Sequence, residues 1–204
     1  MSDPTTAPSV VNSSRPQFGL GAIFGTIFAL GLYFAYLRQI DAAAVLYGCL
    51  AILMGLAVGS ASGLATGHFV DGAYWASLCS ALGYVATAGE TTLGTEFRLA
   101  WAGVGTAAGA GANLVGRNRP FLRVFFAGLG AALVMGAYLG IVHGTVFANR
   151  FDAVCAPIVG ALIGVLIEIL QFVEADRRLP RYTIATWLLC AVLAGNLAVA
   201  HLLR

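Results

Sequence analysis

Apolar and small residues occupy seven long stretches of this chain, separated by short polar breaks. The stretches are Phe18–Leu37, Ala42–Gly67, Gly72–Ala88, Leu99–Gly116, Val124–Ala148, Ala153–Val173 and Thr183–Leu203. A helix of about 20 such residues crosses roughly 30 Å of hydrocarbon. The pattern therefore predicts an all-α polytopic transmembrane bundle of about seven spans with short loops. The third and fourth stretches are rich in Ala, Gly, Ser and Thr rather than Leu and Ile. They are expected inside the bundle, where contact with lipid is not needed. Trp75, Trp101 and Trp187 fall near proposed span ends, and Tyr33, Tyr36 and Tyr182 fit the same interfacial belt. Pro120 and Pro180 lie in the breaks, and Pro157 starts or kinks the sixth helix.

Glycines recur every fourth position inside these stretches. One ladder runs Gly55, Gly59, Gly63, Gly67. A second runs Gly128, Ala132, Gly136, Gly140, Gly144. In water, a glycine in a helix interior costs roughly 1 kcal/mol against alanine. In a bilayer, a stripe of small residues lets two helix backbones approach closely. The ladders are read as helix-packing faces, within one chain or between two copies.

Composition supports lipid as the solvent. The chain is 59% hydrophobic and 10% charged, against about 25% charged in soluble domains. A net charge of +2 is too small to indicate a nucleic-acid partner. All eleven basic residues are arginine, which excludes a lysine Schiff base or nucleophile and a retinal pigment of the usual seven-helix kind. Cys49, Cys79, Cys155 and Cys190 sit in or beside apolar stretches without a CxxC pair, and read as small packing residues. Residues 1–17 are polar, rich in Ser, Thr and Pro, and read as a flexible tail. Residues 18–204 form the membrane domain. The first stretch is long for a signal peptide and no A-x-A-like site follows it, so it reads as a retained span. The leader Arg15-Pro16-Gln17-Phe18 resembles one common in some uncharacterised bacterial membrane proteins. It covers under a tenth of the chain and implies no activity. The expected location is a multi-pass protein of a bacterial inner membrane.

Arginine placement orients the bundle. Arg117, Arg119 and Arg123 follow the fourth stretch, and Arg177, Arg178 and Arg181 follow the sixth. Both breaks lie on one side. With Arg15 that side collects seven arginines, against Arg38, Arg98, Arg150 and Arg204 on the other. Positive residues concentrate on the cytoplasmic side, which puts the N-terminus inside and the C-terminus outside.

Four polar residues inside the stretches carry the candidate chemistry. Glu168 lies about five residues from the end of the sixth stretch, and a carboxylate there costs about 2.5–3.5 kcal/mol on insertion scales. Asn113 comes out at a similar depth, in the inner half with Ser60, Ser62 and Ser77. This layer suits a proton or cation relay, or a structural bond between Glu168 and Asn113. His143 and His201 fall in the outer half without a third metal ligand. Asn196, mid-way along the seventh stretch, reads as an interhelical hydrogen-bonding group. Ser60-Ala61-Ser62-Gly63 with His143 resembles the rhomboid proteases' Gly-x-Ser-Gly and helix-borne histidine. Ser60 replaces the first glycine, however, and Ser62 and His143 fall in opposite halves, so no catalytic dyad is assigned. No phosphate loop, nucleotide fingerprint, cofactor motif or metal cluster is present. Two functions fit: a small transporter or channel-like protein with a polar path near Glu168, and a non-enzymatic membrane scaffold or assembly subunit. In the second, glycine stripes bind a membrane-protein partner or a second copy.

Overall fold

The computed structural model describes residues 20–88, 94–115, 119–144, 150–177 and 181–202. Among them the chain is all-helical. Seven helices follow in order: α1 (Leu20–Ile40), α2 (Ala42–Thr66), α3 (Phe69–Ala88), α4 (Thr95–Asn113), α5 (Pro120–His143), α6 (Arg150–Arg177) and α7 (Arg181–Leu202). Four of them, α1, α2, α5 and α6, contain segments long and apolar enough to cross a membrane. The tail 1–17 lies outside the described residues.

Local signals explain the boundaries. Asp41 separates α1 from α2, and its carboxylate accepts the Ala43 N–H as an N-cap. Gly67 ends α2 with φ +74°, and its N–H and that of His68 close onto Leu64 and Gly63 carbonyls. This is a left-handed helix cap that glycine adopts without a Cβ penalty. Pro120 opens α5 at a position where its missing N–H has no helical partner to lose. Pro157 stays inside α6, so that helix begins at Arg150 and runs through the proline.

Helices α2 to α6 form an up-and-down meander whose registers are set by glycines. A Cβ on Gly55 would lie 2.5 Å from Ser77 Cα, and one on Gly63 would lie 2.7 Å from Phe69 Cα. One on Gly59 would strike the Gly72 carbonyl. Gly83, Gly105 and Gly109 approach Trp101, Cys79 and Trp75, running antiparallel along the α3–α4 seam. Gly111 and Gly130 do the same between α4 and α5, and Gly128, Gly160 and Gly164 between α5 and α6. Backbones this close gain dispersion contacts that larger side chains would hold apart.

Helix α4 occupies the centre. It touches α2 and α6 as well as its chain neighbours α3 and α5, and eleven of its nineteen residues are buried. That is why its second half can be built from Ala, Gly and Thr: from Val104 to Asn113 every residue but Ala107 is buried. The outward faces carry the large apolar residues instead, among them Phe24, Leu46, Phe121, Phe125 and Ile141. Soluble monomers rarely expose so continuous an apolar surface. Helices α1 and α7 pair with each other and pack at one side, against α2 and α3.

Several expectations change. Gly67 and Gly144 do not extend the packing stripes. Both have positive φ, nothing lies within 4 Å of a Cβ on either, and they terminate α2 and α5. A Cβ on Gly140 would also meet open space. Trp75, Tyr33, Tyr36 and Tyr182 are buried rather than belt residues, whereas Trp187 is exposed. The reading of the cysteines does not change: all four are free thiols, with Cys79 and Cys190 buried.

Candidate functional site

Antiparallel packing brings the C-terminal ends of α2, α4 and α6 to the same end of the meander as the N-terminal ends of α3 and α5. Glu168 lies toward this end of the molecule. The sequence pattern that aims it is on α6. Gly160, Gly164, Glu168 and Gln171 follow at spacings of four, four and three, so they share one face. The two glycines bring that face against α5, where a Cβ on Gly164 would stand 2.9 Å from Val124 Cα.

The residue that meets Glu168 is Arg123. Because α5 starts at Pro120, Arg123 belongs to its first turn rather than to the preceding break, and its N–H bonds Arg119 O. Its guanidinium lies 2.7 Å from the Glu168 carboxylate, with side-chain exposures of 3% for Arg123 and 23% for Glu168. The same group donates to Gln171 Oε1 at 2.5 Å and to the Val115 carbonyl at 3.3 Å. The planar fork of arginine suits such a divided set of acceptors. One buried cation thus joins α5, α6 and the turn that follows α4. The Glu168 side chain is the more accessible member of the pair, although the Oε1 that faces Arg123 is itself buried.

Asn113 ends α4 and is buried, but its amide nitrogen donates to Gly109 O on its own helix at 2.8 Å. The expected Glu168–Asn113 layer is therefore replaced by a Glu168–Arg123 pair, with the end of α4 joined through a backbone carbonyl. The serines are similarly local: Ser62 donates to Gly59 O and Ser77 to Tyr74 O. His143 is exposed at the end of α5, at the opposite end of the bundle from Glu168, with its ring centroid 6.2 Å from that of Tyr138. The Asn196 side chain lies outside the described residues. Among the described residues no group of three or more His, Cys, Asp or Glu is placed to hold a metal ion.

A second polar cluster was not anticipated. Asp71 is buried in the first turn of α3 and accepts the Tyr182 hydroxyl from α7. Tyr74 donates to the Tyr182 carbonyl at 2.9 Å and lies 2.9 Å from the Thr186 hydroxyl, which itself reaches Tyr182 O at 2.6 Å. These bonds tie α7 to α3. The signal in the sequence was Gly67: a helix cap there restarts the next helix before Asp71, not at Gly72.

No family model, curated protein or solved structure matches the chain.

Proposed function

We propose that this chain is a multi-pass integral membrane protein with all seven helices embedded. We further propose that it works as a small, non-enzymatic transporter or channel-like protein with a polar path beside Glu168. The observation that carries this reading is the Arg123–Glu168 pair in α5 and α6, two of the helices apolar enough to span a bilayer. Ionisable residues in such segments are costly and mark ion pathways or proton relays. Arg123 is held by the Gln171 and Val115 acceptors and by its ion pair with Glu168, while the Glu168 side chain keeps about a quarter of its surface open. A proton or cation arriving at Glu168 would weaken its hold on Arg123 and loosen α6 from α5. The bundle is assigned to a bacterial inner membrane with the arginine-rich end cytoplasmic, following the positive-inside rule.

The test is proton-linked flux in proteoliposomes, read with an entrapped pH dye. Glu168→Gln should abolish it while the protein still elutes as a folded species. Equal flux from the variant would remove Glu168 from the path. A second reading, an assembly subunit, draws on α5. The Gly55, Gly59 and Gly63 face is covered by α3, but a Cβ at Gly140 would meet open space, so a second copy or partner helix has access there. Gly140→Leu should then dissociate an oligomer on a detergent sizing column, and a monomer before mutation would reject this reading.

A further inference from the structure

The α1–α7 pair does not close fully against α2 and α3. A crevice remains among the four helices, lined by Ala29, Leu30, Ile52, Ala81 and Leu189, with Tyr33 at one end and Tyr74 and Thr186 at the other. From Thr26 to Tyr33 it follows α1 over eight residues, seven steps of helical rise or about 10 Å. About 90 Å³ of it is wide enough for water-sized atoms. One water needs about 10–15 Å³ in that measure, so the space holds several heavy atoms, a segment of a chain rather than a whole lipid.

We infer that this crevice is a binding site for one acyl chain of a bilayer phospholipid. Two observations select that occupant. The lining hydroxyls are already engaged: Tyr33 donates to Gly48 O, Ser77 to Tyr74 O, and Tyr74 and Thr186 to Tyr182 O. A polar ligand would meet walls with little hydrogen-bonding capacity left. On its α1 side the crevice is lined by Thr26 and Leu30, both exposed, and it flanks the middle of α1, a helix long and apolar enough to span. At that depth the material outside is hydrocarbon. The Tyr74–Thr186–Tyr182–Asp71 cluster closes the end nearest the α3 and α7 N-termini, so the chain would lie along the bundle axis.

The inference rests on the bundle being embedded, and the experiment reads the two claims separately. The full-length protein is reconstituted in nanodiscs of phosphatidylcholine carrying a photoreactive diazirine midway along one acyl chain. Crosslinks are then mapped by mass spectrometry. Phe125, exposed on α5, reports bulk lipid; Ala81 and Leu189, buried except toward the crevice, report entry. Labelling at all three is expected. Ala81→Leu, which fills the space, should reduce Leu189 labelling at least fivefold and leave Phe125 unchanged. Ala29→Leu fills it from the α1 side and serves if the first variant fails to fold. Labelled Phe125 with unlabelled Ala81 and Leu189 would overturn the inference, as would undiminished Leu189 labelling in both filled variants. Unlabelled Phe125 would overturn the embedding and the inference with it.

Discussion

Replacing Glu168 by leucine should be among the most damaging single changes outside the glycine seams. It removes the Glu168 carboxylate from beside the Arg123 guanidinium, which is 3% exposed. Two unit charges about 4 Å apart attract by about 4 kcal/mol at an effective dielectric of about 20. Breaking a buried pair by removing one partner typically costs about 3–5 kcal/mol. Gln171 Oε1 and Val115 O still accept from Arg123, and Glu168 is partly exposed, so the lower end applies: about 3 kcal/mol. Replacing both residues, Arg123→Leu with Glu168→Leu, removes both charges. Such paired apolar replacements are often neutral or stabilising, so the double variant should lie within about 1 kcal/mol of the parent. The assay is unfolding by titrated SDS from bicelles, followed by far-UV circular dichroism. A coupling energy above about 2 kcal/mol is expected from the double-mutant cycle. If Glu168→Leu costs less than about 0.5 kcal/mol, or if the single effects add, the pair does not bind α5 to α6.

Other outcomes follow from the same geometry. Gly59→Leu drives a side chain into the Gly72 carbonyl and should lose the folded species on a sizing column, overpacking against backbone being harder to relieve than the usual cost of about 1–3 kcal/mol. Gly67→Ala should cost about 1–2 kcal/mol in the SDS titration because its φ is +74°, although nothing crowds the site. Gly31→Ala, helical and with nothing within 4 Å of the added Cβ, should be neutral or stabilising by up to about 1 kcal/mol. Tyr182→Phe removes the donor to buried Asp71 and should cost about 1.5–3 kcal/mol, read in the same titration.

The helices were legible because each is a long apolar stretch, and α3 and α4 were recognisable as interior elements from their small residues. The limits shifted where polarity and helix geometry disagree. His68 and Asp71 interrupt hydropathy, yet the left-handed cap at Gly67 lets α3 begin at Phe69. Arg123 was misplaced for the same reason: a charge three residues after Pro120 reads as a loop, although proline opens a helix there. The aim of Glu168 was written in the chain all the same. Gly160 and Gly164 mark the face of α6 that packs closely, and Glu168 lies on that face. What periodicity could not supply was the identity of the facing residue, which depends on the register between α5 and α6. The two αL glycines show the complementary limit. Spacing of four continues through Gly67 and Gly144, but the helices do not.

The account stands or falls on seven membrane crossings. Seven crossings put the two chain ends on opposite sides of the bilayer. In right-side-out vesicles from cells expressing the protein with distinct tags at each terminus, external protease should remove the C-terminal tag and spare the N-terminal one. Both tags digested, or both protected, would mean an even number of crossings or none, and would contradict it.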